Sequence, residues 1–381
     1  MKETIETREI FERMVTLRRE LHKHPEVGFD LPQTVKTVED ELREAGVDFT
    51  ESYGKSSVVA EIGTGEKTVA VRADTDALPI EEKTCLPYSS ENKGMMHACG
   101  HDSHTAVLLG LARYLKAHEK ELKTKVRLIF QPSEEGAVSG AKMLVENSVM
   151  DGVDHIIGTH CEPGANTGEI AVCRGDFMAA CVPLRIVFTG RCSHATAPKA
   201  GIDAIEMANE AYVRLKKSVA ELAGMKEYIW SVGVFRGGEA HNVIAENCRL
   251  EISFRFYDNN FAEEMRKTTF SICEDIAASF GGKVDIDWHL STPAVHNDER
   301  VTNDFVAALK AAGNKVVPLE KKMGSEDFGW YLTKSPGMIF RFGTNSGSGG
   351  FASGLHTSDF CPDEKSLKYA FSAFADYLFS L

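Results

Sequence analysis

The segment His97-Ala98-Cys99-Gly100-His101-Asp102-Ser103-His104 is followed directly by Thr105-Ala-Val-Leu-Leu-Gly-Leu-Ala-Arg-Tyr-Leu115. The first part contains a thiol, three imidazoles and a carboxylate within eight residues. The second part repeats apolar residues at helical spacing, which predicts a helix with Asp102 or Ser103 capping its first turn. The polar residues are therefore expected on a loop that leads into a helix N-terminus.

Within this loop, Cys99 and His101 most resemble a pair of metal ligands. Residues two apart cannot share one face of a helix, so the pair needs an extended or sharply turned backbone. A helix N-terminus favours negative charge and lowers the pKa of a thiol, so Cys99 is expected as the thiolate that metals require. The alternative is a free thiol with neighbouring surface histidines.

Further candidate ligands follow β-rich segments elsewhere in the chain. Three segments end in such side chains: Thr68–Arg72 before Asp74 and Asp76, Lys125–Gln131 before Glu134 and Glu135, and His155–His160 at its last residue. Strands alternating with helices predict a parallel sheet, which binds ligands at the carboxyl ends of its strands. An acidic turn, a charge pair at a helix N-terminus or a surface histidine could explain each alone. Their convergence on one edge favours a metal site, and the number of ligands favours a binuclear one.

The pattern of elements changes at about residue 178. Strands are predicted at 182–190, 228–235, 247–257 and 283–290, with helices at 202–219 and 260–279. This βαββαβ order is ferredoxin-like. Because 381 residues exceed the usual size of a single core, two domains are expected. Residues 1–177 and 293–381 would form an α/β catalytic domain with a mixed, largely parallel sheet flanked by helices, and 178–292 an inserted domain. A Gly/Ser-rich loop, 343–354, precedes the last ligand candidate, His356.

Composition narrows the classes of function. The chain has 43 Lys+Arg against 56 Asp+Glu, a net charge of −13, which argues against binding nucleic acid or anionic membranes. No segment approaches the ~18 apolar residues of a membrane span, and the charged N-terminus does not resemble an export signal. The nine cysteines include no Cys-x-x-Cys pair, which favours reduced thiols in the cytoplasm. No glycine-rich phosphate loop is present.

Six motifs together resemble a known family. They are Met96-His97-Ala98-Cys99-Gly100-His101-Asp102, Arg72-Ala-Asp-Thr-Asp-Ala-Leu-Pro79, Gln131-Pro-Ser-Glu-Glu-Gly136, Gly190-Arg-Cys-Ser-His-Ala195, Gly237-Gly-Glu-Ala-His-Asn-Val-Ile244 and Gly324-Ser-Glu-Asp-Phe328. In this order they resemble the bacterial N-acyl-amino-acid amidohydrolases, which include hippurate hydrolase, aminobenzoyl-glutamate hydrolase and the plant auxin-conjugate hydrolases, within the wider aminoacylase and carboxypeptidase G family. The resemblance covers essentially the whole chain. It implies a zinc-exopeptidase-like catalytic domain with two metals, interrupted by a lid domain through which two subunits form a homodimer.

The resemblance also implies roles for individual residues. The implied metal ligands are Cys99, His101, Glu135, His160 and His356. The implied general base is Glu134, while Asp76 would orient a ligating imidazole. His194 would donate to the oxyanion, in its own subunit or across a dimer interface, and Asn242 and Arg255 would hold the substrate carboxylate. An outward strand position would instead leave Arg255 structural. His22, His24 and Glu26 also match the family, and we interpret them as packing and turn residues.

This chain departs from the wider family at one position. It has Asp74-Thr75-Asp76 where aminoacylase-like relatives have His-x-Asp. The resemblance then implies that Cys99 replaces the usual bridging aspartate and that His101 supplies the lost imidazole. A thiolate favours Zn²⁺ and carboxylates favour Mn²⁺, so the two cations are expected to be one of these, with Co²⁺ or Ni²⁺ as alternatives.

The predicted reaction is hydrolysis of N-acyl or N-aroyl amino acids through a metal-activated water, with Glu134 as the base. The first alternative is a dipeptidase or carboxypeptidase that uses the same two metals. The second alternative is a non-catalytic metal-binding protein, which the intact Glu134 and full ligand set disfavour.

Overall fold

The computed structural model describes residues 4–347 and 353–381. Its α-helices are α1 (Ile5–Lys23), α2 (Pro32–Glu44), α3 (His101–Ala117), α4 (Gly140–Glu146), α5 (Ala204–Ala223), α6 (Asn259–Phe280), α7 (Glu299–Ala311), α8 (Gly329–Leu332) and α9 (Ser366–Leu378). Its strands are β1 (Phe49–Thr50), β2 (Val58–Ile62), β3 (Thr68–Asp74), β4 (Lys125–Gln131), β5 (His155–Asn166), β6 (Glu169–Val172), β7 (Gly175–Met178), β8 (Ala180–Thr189), β9 (Tyr228–Gly237), β10 (Asn247–Phe256), β11 (Lys283–Trp288), β12 (Val295–Asn297), β13 (Lys315–Pro318) and β14 (Gly337–Asn345). None of the helices in these ranges has both the length and the apolar character needed to cross a bilayer.

The chain divides into two compact units. The first unit contains the described residues of 1–177, 296–321 and 327–381, and the second contains 178–295 and 322–326. The segment 322–326 was expected in the first unit. It belongs to the second, where Arg255 Nη1 donates to the carbonyl oxygen of Met323 at 2.9 Å and to Ser325 Oγ at 3.1 Å.

The first unit is built on a mixed sheet. Among the described residues its strand order is β1-β2-β4-β3-β5-β14-β6-β13. The pairs β3–β4, β3–β5, β5–β14 and β6–β13 are parallel, whereas β1–β2, β2–β4 and β6–β14 are antiparallel. The predicted largely parallel sheet flanked by helices is confirmed. Because β4, β3 and β5 are neighbours that run in one direction, the segments following them meet at one edge.

Strand β5 is longer than expected from the sequence. We expected it to end at His160, but it continues to Asn166. Its pairing with β3 ends at the Arg72–Gly158 pair, while pairing with β14 continues from there to Asn166. His160 therefore lies within a paired strand, which holds its backbone more firmly than a strand end would.

Helix α3 begins at His101, four residues before the expected Thr105. Its N-cap is Gly100, whose φ of 89° favours glycine, and a Cβ there would lie 2.5 Å from Cys161 Sγ. The predicted cap by Asp102 or Ser103 is wrong, since no side chain caps this helix. The Asp102 carboxylate instead accepts a hydrogen bond from the buried Arg18, at 2.8 Å from its Nε.

The second unit contains the predicted ferredoxin-like arrangement. Its sheet has the order β11-β8-β10-β9 with antiparallel neighbours, and α5 and α6 pack on it. Phe254 is completely buried, and its ring lies 5.4 Å from the Trp230 ring, 5.5 Å from the Phe261 ring and 5.8 Å from the Trp288 ring. This aromatic cluster fills the space between sheet and helices.

We predict that Phe254→Ala lowers the free energy of unfolding of the second unit by about 3–5 kcal/mol, because it leaves a cavity in the core. Met225→Ala is the control, since Met225 lies in the same unit but is 100% exposed. Its expected loss is below about 1 kcal/mol. Denaturant unfolding of the full chain measures both, and equal losses would contradict this description of the core.

Candidate metal centre

The donor atoms of the candidate ligands gather around Cys99. Its Sγ lies 3.2 Å from His160 Nε2 and 3.3 Å from His356 Nε2, and His356 Nε2 lies 3.0 Å from Glu135 Oε1. Cys99, His101 and His160 form one group whose donor atoms lie within 4.8 Å of one another, and Cys99, Glu135 and His356 form another. Cys99 is thus common to both groups of donors.

The surroundings of His101 match those of a metal ligand. Its Nδ1–H donates to the carbonyl oxygen of Asp76 at 2.8 Å, which leaves Nε2 as the ligating atom. Among the described residues this buried Nε2 has no hydrogen-bond partner. It faces three carboxylates, with Asp74 Oδ2 at 3.7 Å and Glu134 Oε2 and Glu135 Oε1 at 4.0 Å. A buried imidazole nitrogen without a hydrogen-bond partner, opposite carboxylates, is the environment expected for a metal ligand.

The other two candidate histidines are fixed by contacts with the main chain, His160 through its ring and His356 through its backbone. His160 Nδ1–H donates to the carbonyl oxygen of Cys161 at 2.8 Å, and Arg341 Nη1 donates to the same oxygen at 3.2 Å. The backbone N–H of His356, a residue with φ of 62°, donates to the carbonyl oxygen of Ala98 at 2.8 Å. Such supporting contacts fix the orientation of ligating rings.

Asp76 contacts the site through two different groups. Its carbonyl oxygen orients His101, whereas its carboxylate accepts the backbone N–H of Glu134 at 2.9 Å and that of Glu135 at 3.2 Å. The sequence analysis predicted that the Asp76 side chain would orient the imidazole. The carboxylate also lies beside the imidazole, with Oδ1 3.5 Å from His101 Nδ1, so it contacts both this ring and the backbone of the two glutamates.

The electrostatics of the pocket differ from expectation at Cys99. Burial, followed by the negative charges of Glu135 and Glu134, raises the pKa of the thiol well above its usual range. The expected lowering by the helix N-terminus is therefore wrong, because desolvation and nearby carboxylates dominate. At His101 burial opposes protonation, but the Asp74 and Asp76 carboxylates outweigh it and raise the pKa to about 10. The pocket thus favours bound positive charge.

A buried arginine that sequence reasoning missed ties the strand ends together. Arg72 donates through Nη1 to Asp74 Oδ2 at 2.7 Å, through Nη2 to Asp327 Oδ1 at 2.9 Å and through Nε to Gln131 Oε1 at 2.8 Å. All four side chains are buried. The only signal in the sequence is an arginine inside an otherwise apolar strand.

Asp327 extends this support to the loop that carries the glutamates. Its carboxylate also accepts a hydrogen bond from Ser139 Oγ at 2.7 Å and from the backbone N–H of Ala141 at 3.2 Å. Ser139 in turn caps α4, since its Oγ accepts from the backbone N–H of Lys142 at 3.1 Å. The loop that follows Glu135 is therefore anchored at its far end.

His22 and Glu26 support the site from behind. His22 Nδ1–H donates to Asp102 Oδ2 at 2.8 Å, next to the ligand loop. The Glu26 carboxylate accepts the backbone N–H of Thr34 at 2.9 Å, and its carbonyl oxygen accepts that of Ala77 at 2.7 Å. Both residues make packing and turn contacts that hold the backbone beside the ligands.

The remaining candidates lie in the second unit. His194 and Asn242 are exposed and occupy neighbouring segments, since the carbonyl oxygen of Asn242 accepts the backbone N–H of Ala195 at 2.9 Å. His194 Nδ1 lies 2.8 Å from Thr196 Oγ1. Arg255 is half-buried and its Nη1 binds the segment 322–326.

A family model for peptidase family M20/M25/M40 matches residues 70–380. The chain belongs to this family. The resemblance inferred from the motifs is confirmed, as is the predicted class of enzyme, a metal-dependent hydrolase of amide bonds.

Three similar proteins add detail. N-acetyl-L-cysteine deacetylase of Bacillus subtilis is 37% identical over 336 residues, which cover 87% of this chain and 80% of that protein. Thermostable carboxypeptidase 1 of Saccharolobus solfataricus is 34% identical over 372 residues, 95% of this chain and 94% of that protein. The crystal structure of a dinuclear metal-binding M20 peptidase from Bacillus subtilis superposes with a TM-score of 0.84 and 33% identity, covering 98% of each chain.

We predict that Cys99→Ala loses bound metal, whereas Cys99→Asp retains it with its preference shifted from Zn²⁺ toward Mn²⁺, because a carboxylate replaces a thiolate. Cys161→Ala is the control, since Cys161 is also buried and contacts the same loop but belongs to neither group of donors. Elemental analysis after equilibration with equimolar Zn²⁺ and Mn²⁺ measures the outcome. Retention of both metals by Cys99→Ala would contradict a shared sulfur.

Proposed function

We propose that the protein hydrolyses the amide bond of N-acyl or N-aroyl amino acids, releasing a carboxylic acid and a free amino acid. The proposed site holds two divalent cations. Their proposed ligands are Cys99, His101, Glu135, His160 and His356. Family membership, the gathering of these donors and the similarity to N-acetyl-L-cysteine deacetylase support the proposal.

The observation that carries the proposal is the arrangement of Glu134 beside Glu135. Both backbones are held by the Asp76 carboxylate, and both side chains share a group of donors with His101. Only Glu135 also shares a group with Cys99 and His356, since its Oε1 lies 3.0 Å from His356 Nε2. A general base must not be consumed as a ligand. This geometry supports Glu135 as ligand and Glu134 as base.

In the proposed mechanism Cys99, His101, Glu135, His160 and His356 would hold the two cations, which would supply Lewis-acid chemistry and a water of lowered pKa. Glu134 accepts a proton from the water as its oxygen adds to the amide carbon, and returns it to the leaving nitrogen when the C–N bond breaks. His194 donates a hydrogen bond to the developing oxyanion, a contribution of roughly 3–4 kcal/mol where such donors have been removed. Asn242 and Arg255 hold the substrate carboxylate, Arg255 through a guanidinium group suited to carboxylates.

We further propose Zn²⁺ as the favoured metal, because a thiolate and three imidazoles suit it, with Mn²⁺ as the main alternative. The cysteines are all free, which supports a reducing cytoplasmic environment. A homodimer through the second unit is supported by the edge strand β9, which exposes Ile229 and Phe235.

Peptide hydrolysis at the same metals is the second candidate function. The similarity to a thermostable carboxypeptidase supports it. The two functions differ in the group that carries the carbonyl carbon of the scissile amide. In the first function it is a simple acyl group, and in the second it is an amino acid or a peptide.

A substrate panel separates the two. The protein is assayed with acetyl-, benzoyl-, aminobenzoyl- and indoleacetyl-amino acids and with dipeptides, each with Zn²⁺, Mn²⁺ or Co²⁺ added. The proposal expects turnover of at least one acyl-amino acid well above that of every dipeptide. The reverse order would favour the peptidase function.

We predict that Glu134→Gln abolishes turnover but leaves metal content unchanged, because an amide keeps the shape of the side chain but cannot accept a proton at neutral pH. Glu135→Gln is the matched variant and should lose metal. Elemental analysis and activity are measured on both. A metal-free Glu134→Gln together with an active, metal-loaded Glu135→Gln would reverse the two roles.

A further inference from the structure

His104 lies beside the metal centre without being able to join it. It is completely buried on α3, and its ring centroid is 4.7 Å from that of His160. Its Nδ1–H donates to Asp74 Oδ1, and its Nε2 accepts the backbone N–H of Cys161 at 2.9 Å. Both ring nitrogens are therefore used, which leaves no lone pair for a metal.

We propose that His104 is a positioning residue that fixes the backbone carrying the ligand His160. The pairing of β5 with β3 ends at Gly158, so the N–H of Cys161 lies beyond the β3 ladder. The imidazole of His104 supplies the missing acceptor. Since the Cys161 carbonyl oxygen accepts from His160 Nδ1–H, the residue that His104 holds is also the one that orients the ligating ring.

Asp74 determines which ring nitrogen of His104 can accept the hydrogen bond from the Cys161 N–H. Its carboxylate is held by Arg72 at 2.7 Å and accepts the proton-bearing Nδ1 of His104. The neutral tautomer with hydrogen on Nδ1 leaves the Nε2 lone pair directed at the Cys161 amide. Loss of that acceptor would leave a buried N–H unsatisfied beside a metal ligand, and the strand could relax only by moving His160.

Two substitutions separate the contacts. In His104→Asn the amide nitrogen occupies the place of Nδ1, so it keeps the donor to Asp74 and loses the acceptor for Cys161. In His104→Gln the amide oxygen reaches the place of Nε2, so it keeps the acceptor and loses the donor. The control is His155→Gln, because His155 is buried at the other end of the same strand, where its Nε2 lies 2.8 Å from the Tyr377 hydroxyl.

The measurements are Co²⁺ affinity by chelator competition, the visible spectrum of the Co²⁺-loaded protein and the melting temperature, all without substrate. We expect His104→Asn to bind Co²⁺ about 10–100-fold more weakly and with altered bands, as for other residues that support ligands. His104→Gln and His155→Gln should keep the wild-type spectrum and an affinity within about threefold, whatever their loss in melting temperature.

Equal Co²⁺ affinities and spectra for the two His104 variants would overturn the proposal, as would a spectral change in His155→Gln. If His104→Asn does not fold, the test rests on His104→Gln. A His104→Gln protein that misfolds or loses the wild-type spectrum would then overturn the proposal. The inference rests on the metal ligands of the proposed function, not on the substrate. A wild-type protein that binds no Co²⁺ would refute the shared metal site, whereas failure on every acyl-amino acid would refute only the proposed substrates.

Discussion

The ion pairs of Arg72 are the constraint on which the site depends. A guanidinium with no solvent exposure is stable inside a sheet only when carboxylates and hydrogen-bond acceptors surround it. Arg72 has these in Asp74, Asp327 and Gln131. Removing one partner of such a buried pair costs about 3–5 kcal/mol, because the other charge stays buried and uncompensated. The end of β3, the end of β4 and the loop before α8, which carry these three partners, are consequently held in one arrangement.

Two chains of contacts lead from Arg72 to the proposed metal ligands. Through Asp74 the contacts continue to His104 and the backbone of Cys161, next to the proposed ligand His160. Through Asp327 they continue to the loop between Glu135 and α4. Ligands from separate strands can define one geometry only if their backbones are fixed relative to each other. This network of buried charges, together with apolar packing, fixes those backbones relative to each other.

The sequence predicted the fold, and the gathering of the candidate ligands at one edge of the sheet, for a physical reason. Strands and helices have distinct periodicities, and the carboxyl ends of parallel strands meet at one edge, so side chains following β3 and β4 were expected together. The resemblance of the motifs supplied the individual roles. Contacts such as that between Arg72 and Asp327, 255 residues apart, leave no periodic signal and could not be predicted.

Local expectations failed where tertiary contacts outweighed local rules. Asp102 resembles a helix cap in the sequence, but the buried Arg18 binds its carboxylate, and Gly100 takes the cap position with positive φ. Similarly, a helix N-terminus would lower the pKa of Cys99 in isolation. Burial and the adjacent Glu135 raise it instead, because the effect of the helix is small beside desolvation and a full charge.

This reversal at Cys99 explains why the pocket is suited to cations rather than to a free thiolate. Glu134, Glu135 and Asp74 bring negative charge to a site where the thiol stays protonated, and where the pKa of His101 is raised to about 10 despite its burial. Protons and metal ions therefore compete for the same donors. Since metal ligands must be deprotonated, each bound cation displaces protons, and affinity increases with pH until those groups have lost them. The carboxylates whose charge makes this pocket hold protons are the same groups that favour a divalent ion there once the donors are deprotonated.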